Sequence, residues 1–132
     1  MSGEAVRYLT RNDLLAVIEA ALPASTRLRD PGQLQSAMVR PQTTAFGEDA
    51  YPDLWEKAAA LMQSLLIGHP LNDGNKRLAW VAAKTFLRLN GTKTGAAPTD
   101  ASYDLVISVT TGEIMDVPTI AAELRTLLST TE

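Results

Sequence analysis

The sequence contains no cysteine, one histidine and few aromatic residues, which make up 5% of the chain. The absence of cysteine excludes disulfide bonds and thiolate chemistry. A zinc site needs several histidine, cysteine or carboxylate ligands, so the single histidine, His69, argues against one. Any imidazole chemistry in this chain must therefore come from His69.

Long apolar runs and an excess of basic residues are also missing. No stretch approaches the roughly 18 apolar residues needed to cross a membrane, and residues 1–8 lack an apolar signal segment. The net charge of −3 argues against direct nucleic-acid binding, because a general nucleic-acid binder carries a basic face. We therefore expect a cytoplasmic protein without a membrane or nucleic-acid partner, and a local basic pocket for a small anion remains compatible with this charge.

The composition is that of an ordinary globular protein, with 45% hydrophobic and 20% charged residues in a chain of 132. This length fits one domain, residues 1–132. Helix start signals occur at Thr10, where Asp13 follows at capping-box spacing, at Asp30 before Pro31, and at Asp116. Nearly every segment between such signals has helical periodicity.

The middle of the chain predicts two long helices. Residues 42–51 lack periodicity and are expected to form a loop, and a third helix starts at Pro52. Its apolar stripe continues to His69. Residues 75–89 are apolar nearly all round, which is typical of a helix buried at the centre of a domain. Residues 100–110 favour a fifth helix, although their β-branched residues leave a strand open. The sequence thus predicts an all-α fold, a compact bundle of about six helices around a central buried helix.

Residues 69–77 contain the candidate functional side chains. Pro70 and Gly74 make this connection a shaped turn that leads into a helix start, where free N–H groups and the helix dipole favour an anion. Lys76 and Arg77 oppose that dipole, at a cost of about 0.3–1 kcal/mol each. A bound phosphate would remove the conflict, because arginine forks onto phosphate oxygens and lysine supplies a point charge.

Two further side chains in this segment match phosphate chemistry. Asp73 is a candidate magnesium ligand, because magnesium takes one or two carboxylates beside substrate phosphates. His69 is a candidate general base. Each residue also has a structural interpretation, since His69 extends a buried stripe and Asp73 has the character of a helix N-cap.

This segment resembles the motif of Fic and Doc proteins, which reads His, Pro or any residue, Phe, any residue, Asp or Glu, Gly or Ala, Asn, Gly or Lys, Arg. Leu71 departs from it, standing where the family usually has Phe. The short length and the helix pattern are similar to Doc rather than to the larger Fic enzymes. The residues at the family spacing are His69, Asp73, Gly74, Asn75, Lys76 and Arg77.

The resemblance implies the roles of these residues. His69 would deprotonate a hydroxyl group of a target protein, and Asp73 would hold Mg²⁺. The catalytic set is completed by Lys76 and Arg77. The residues implied to bind ATP are Gly74, Asn75, Lys76 and Arg77.

The resemblance also implies a toxin of a toxin–antitoxin pair. Such a Doc-type protein kinase transfers the γ-phosphate of ATP to a threonine of a translation factor, elongation factor Tu, and inhibits translation. Lys76 favours this reaction over AMP transfer, because AMP-transferring Fic enzymes have Gly at that position. An inactive Fic-fold binding module is a further alternative, supported only by Leu71. The nearest match to a self-inhibitory helix, Thr44 to Glu48, contains Gly47, so inhibition is expected from a separate Phd-like antitoxin.

Overall fold

The computed structural model of the chain describes residues 5–129 and confirms an all-α bundle of six helices in that range. Residues 1–4, which belong to the segment predicted to lack an apolar signal sequence, lie outside the described range, as do residues 130–132. None of the helices within 5–129 is long and apolar enough to cross a membrane. The elements in order are α1 (Arg11–Ala21), α2 (Pro31–Val39), a 3-10 turn (Arg40–Gln42), β1 (Thr44–Ala45), β2 (Glu48–Asp49), α3 (Leu54–Gly68), α4 (Asn75–Leu89), α5 (Thr99–Thr111) and α6 (Val117–Leu128).

The helix starts predicted at Thr10, Asp30 and Asp116 are confirmed. The backbone N–H of Thr10 donates to the Asp13 carboxylate at 2.8 Å, and the N–H of Asp13 donates to the Thr10 hydroxyl at 3.1 Å. Asp30 and Asp116 each accept the backbone N–H three residues further on. These bonds satisfy donors that a helix start leaves without partners, and they fix where α1, α2 and α6 begin.

The central helix is α3 rather than α4. It contacts α2, α4, α5, α6 and the 3-10 turn, whereas α4 packs mainly on α3 and α1. Three consecutive alanines, Ala58, Ala59 and Ala60, are fully buried in α3 and let neighbouring helices approach closely. In α4, Trp80 and Val81 are only half-buried. The apolar residues all round α4 therefore do not mark a fully buried helix, because part of them packs in the core while Trp80 and Val81 stay partly exposed.

Two local predictions were wrong, and the fifth helix predicted for residues 100–110 is confirmed. Residues 42–51 are not entirely loop, because β1 and β2 pair antiparallel there; strands of two residues are too short to show alternation. The third helix begins at Leu54 instead of Pro52, since Asp53 caps it by accepting the N–H of Glu56 at 2.8 Å. The strand alternative for residues 100–110 fails because that segment is α5, which buries Val106 and Val109 against the core.

A buried lysine ties the hairpin to the core. Lys57 is 1% exposed, and its Nζ lies 3.1 Å from the carboxylate of Asp49 and donates to the carbonyl of Tyr51. A buried ammonium is tolerated only when it is paired and hydrogen-bonded. Lys57 therefore fixes the end of β2 against the first turns of α3.

Candidate active site

The turn between α3 and α4 exposes His69. This residue caps α3 in the left-handed conformation, with φ of 49° and ψ of 60°, which takes its side chain out of the helical stripe. Its side chain is exposed, and the nearest hydrogen-bonding contact of its ring is a long one, 3.5 Å from Nδ1 to the carbonyl of Ile67. The alternative that His69 is a buried core residue is therefore wrong.

Asn75 holds the middle of this turn. Its side-chain carbonyl accepts the N–H of Leu71 at 2.9 Å, and its amide donates to the Leu71 carbonyl at 3.1 Å. Leu71 is 1% exposed, so the smaller residue at the usual Phe position is still packed in the core. Both polar atoms of the Asn75 side chain are thus bonded to Leu71. The group of Asn75 that can still bind phosphate, as predicted, is mainly its backbone N–H.

The segment 27–30, before α2, supports the turn from the other side. Its pairing is antiparallel: Arg27 donates its N–H to the side chain of Asn72 at 2.8 Å and accepts the Asn72 N–H at 3.0 Å. The carbonyl of Pro70 accepts the N–H groups of Arg29 and Asp30, at 2.8 and 2.9 Å. The sequence gives no sign of this segment, because hydrogen bonds between residues as far apart as Arg27 and Asn72, 45 positions, leave no periodic pattern.

The start of α4 is open to an anion. Gly74 occupies the N-cap position at φ of 89° and has no side chain to offer. Over residues 5–129, no hydrogen-bond acceptor meets the backbone N–H groups of Asn75, Lys76 or Arg77. Asp73 is not the N-cap, because its carboxylate accepts the N–H of Gly74 at 2.9 Å instead of a helical N–H. Unpartnered N–H groups at a helix start form an anion-binding site.

The open helix start faces a cleft with a volume of about 890 Å³. His69, Lys76 and Arg77 give this cleft a basic end, and all three side chains are exposed. Asp73 is the one acidic residue on its described lining. The structure thus brings together every residue that the sequence predicted for the site: His69, Asp73, Gly74, Asn75, Lys76 and Arg77.

The basic side chains of the cleft have no carboxylate partner. Within 5–129 the one ion pair joins Lys57 to Asp49, and neither of these residues lines the cleft. Residues 5–129 contain no group of three or more His, Cys, Asp or Glu side chains placed to hold a metal ion. A magnesium ion at this site would therefore depend on Asp73 together with oxygen atoms of the substrate.

Two aromatic side chains also line the cleft. Trp80 from α4 and Tyr103 from α5 line it, and Tyr103 is 59% exposed. The Lys84 amine lies 5.7 Å from the centre of the Trp80 ring, and burial, followed by the nearby Arg88 guanidinium, lowers the pKa of Lys84. Neither aromatic residue was predicted as part of the site, although Trp80 follows Lys76 by four positions and so shares its face of α4.

Comparisons with known proteins show the family to which the chain belongs. Residues 8–87 match the Fic/DOC family. The chain is 49% identical over 118 residues to Toxin Doc of Mycolicibacterium smegmatis. The aligned region covers 89% of this chain and 90% of that protein. It is 33% identical over 130 residues to Protein kinase doc of Escherichia phage P1, covering 96% of this chain and 100% of the relative.

Proposed function

This chain is a Doc-type member of the Fic/DOC family, and from that membership we propose that it is the toxin of a toxin–antitoxin pair. The proposed reaction is transfer of the γ-phosphate of ATP to a threonine hydroxyl of a translation factor, elongation factor Tu, which stops translation. One observation carries the kinase assignment: Lys76 stands at the open start of α4, on the cleft that also holds His69 and Asp73. The name Protein kinase doc, borne by one relative, supports it.

The residues of the cleft account for such a transfer. His69 takes the proton of the threonine hydroxyl, the hydroxyl oxygen bonds to the γ-phosphorus, and the bond to the bridging β–γ oxygen breaks, so ADP leaves. Lys76, Arg77 and the free N–H groups of α4 stabilise the charge on the phosphate oxygens. Magnesium, when bound at Asp73, would neutralise part of the same charge. Catalysis of this kind consists mainly of positioning and electrostatic stabilisation.

The shape of the cleft suits a nucleotide. Its volume of about 890 Å³ lies within the roughly 300–1,000 Å³ that is usual for small-molecule sites. Its lining offers cations and N–H groups to the phosphates at the start of α4, and it offers the rings of Trp80, one turn further along α4, and Tyr103 to a base. We propose that the base of ATP stacks against Trp80 while the phosphates lie at the start of α4.

The proposed function can be tested by finding out which phosphate of ATP is transferred to the target protein. We expect γ-labelled ATP, and not α-labelled ATP, to label the target protein in a bacterial lysate. A lysine at position 76 fills the space that a glycine leaves open for phosphates in AMP-transferring Fic enzymes. Transfer of the α-label would replace the kinase assignment by AMP transfer, and the absence of either label on any protein would contradict both.

Lys76→Gly is expected to lower γ-phosphate transfer by roughly 10-fold. This is less than the 10²–10³-fold typical of losing a sole transition-state donor, because Arg77 and the helix N–H groups remain. Initial rates with γ-labelled ATP measure the effect. Lys93→Gly is a suitable control, since Lys93 is also exposed but does not line the cleft. Equal rates for Lys76→Gly and wild type would contradict the role given to Lys76.

Trp80→Ala is expected to raise the KM for ATP by roughly 10-fold, since base–aromatic stacking contributes about 1–3 kcal/mol. Trp80→Phe retains a flat ring and should change the KM much less. Steady-state kinetics with varied ATP separate the two variants. If the alanine and phenylalanine variants have the same KM as wild type, the base does not stack on Trp80.

The structure does not favour an inactive binding module or a self-inhibitory helix. Leu71 was the only argument for an inactive module, and its burial shows that the turn is anchored. Residues 44–49 form the β1–β2 hairpin, so the sequence from Thr44 to Glu48 offers no inhibitory helix. We therefore propose inhibition in trans by a Phd-like antitoxin whose tail folds on binding.

A further inference from the structure

Arg29 contacts the backbone of the proposed general base. Its guanidinium Nη2 donates to the carbonyl oxygen of His69 at 2.8 Å, across 40 positions of sequence. The backbone N–H of the same arginine donates to the next carbonyl, that of Pro70, at 2.8 Å. Arg29 thus holds two consecutive peptide groups on the segment that presents His69 to the cleft.

The backbone conformation of His69 is one that this contact can stabilise. His69, at φ of 49°, occupies the left-handed region, which only a few per cent of non-glycine residues adopt, although asparagine, aspartate and histidine do so more often than the others. Such conformations persist only where the surroundings determine them, and they cluster at functional sites. The His69 side chain is exposed, so packing does not fix it. The guanidinium bond is charge-assisted and therefore stronger than a bond between neutral groups.

We propose that Arg29 is a positioning residue for His69, which holds the left-handed backbone so that the imidazole faces the cleft. The kinetic part of this inference rests on the proposed function. Arg29 itself touches no substrate in this role and does not line the cleft. Its loss should thus affect the rate of the chemical step rather than the binding of ATP.

Arg27 provides a matched control. It carries the same charge two positions earlier, and within residues 5–129 its guanidinium donates only to carbonyls beside it, those of Ser25 at 3.3 Å and Thr26 at 3.5 Å. The bonds that Arg27 makes to the turn use its backbone, which substitution retains. Arg27→Ala therefore removes an exposed arginine from the same segment without removing a side-chain contact to His69.

The single histidine of the chain allows a test that needs no activity. With selectively labelled histidine, the full chain should give one backbone amide signal and one set of imidazole signals by NMR. We expect Arg29→Ala to shift or broaden both signals, Arg27→Ala to leave them in place, and Arg29→Lys to restore them in part, because lysine can donate one hydrogen bond. Unchanged signals in Arg29→Ala would overturn the inference even if the protein is a kinase.

Kinetics provide the second measurement. Arg29→Ala should lower kcat for γ-phosphate transfer by roughly 10- to 100-fold, the size of effect that follows a misplacement of about 1 Å, while the KM for ATP stays within about twofold. Arg29→Lys should recover part of kcat. A raised KM with unchanged kcat, or the same loss in Arg27→Ala, would overturn the positioning role. If wild type transfers no phosphate, the proposed function fails, and the NMR result still decides the inference.

Discussion

His69→Ala is expected to lower the rate of phosphate transfer by roughly 10²–10⁴-fold, the usual contribution of a general base, and to leave the protein folded. The side chain is exposed and makes one long polar contact, 3.5 Å to the carbonyl of Ile67, so its removal leaves no cavity in the core. Initial rates with γ-labelled ATP measure the loss, and circular dichroism during heating checks the fold.

The backbone of His69 requires a second variant. Alanine is disfavoured at φ of 49°, whereas asparagine tolerates the left-handed region. His69→Asn thus removes the imidazole and keeps a residue suited to the turn. We expect it to be as inactive as His69→Ala and to melt at nearly the wild-type temperature. An asparagine variant with wild-type activity would show that the imidazole is not the base and that the turn alone matters.

The helix starts were predictable because they depend on local chemistry. Thr10 with Asp13, and Asp30 before Pro31, need only residues within one turn to satisfy a helix start. The all-α class followed from the periodicity of the segments between them. The periodicity did not show which helix lies at the centre of the bundle. An apolar helix surface does not show whether it packs against another helix or lines a cleft. The half-buried Trp80 is the clearest case.

The site was predictable where residues broke a local rule. Lys76 and Arg77 oppose the dipole of the helix they begin, and the structure places both on the cleft. The support from Arg29 could not be predicted, because its partner lies 40 positions away and the contact uses a backbone carbonyl, which every residue has. The left-handed backbone of His69 was hidden for a similar reason, since it arises from tertiary contacts and not from its own residue type.

Asp73→Ala is expected to lower phosphate transfer by roughly 10²–10³-fold, as is typical when a fixed electrostatic contribution to the transition state is lost. No other acidic residue lines the described cleft, so the proposed metal site has no substitute carboxylate. One oxygen of Asp73 accepts the Gly74 N–H at 2.9 Å, which leaves the second oxygen available to a magnesium ion. The rate should therefore depend on Mg²⁺ concentration through this residue.

Asp73→Asn separates the metal from the shape of the turn. Asparagine keeps an oxygen that can accept the Gly74 N–H, but it lacks the negative charge that attracts a divalent cation. We expect its rate to stay close to that of Asp73→Ala at low Mg²⁺ and to recover in part only as the Mg²⁺ concentration is raised. Titration of the initial rate with Mg²⁺ for wild type and both variants provides the comparison. If Asp73→Asn shows the wild-type rate and Mg²⁺ dependence while Asp73→Ala is inactive, Asp73 serves to shape the turn at Gly74 and the magnesium ion is held by substrate oxygens alone.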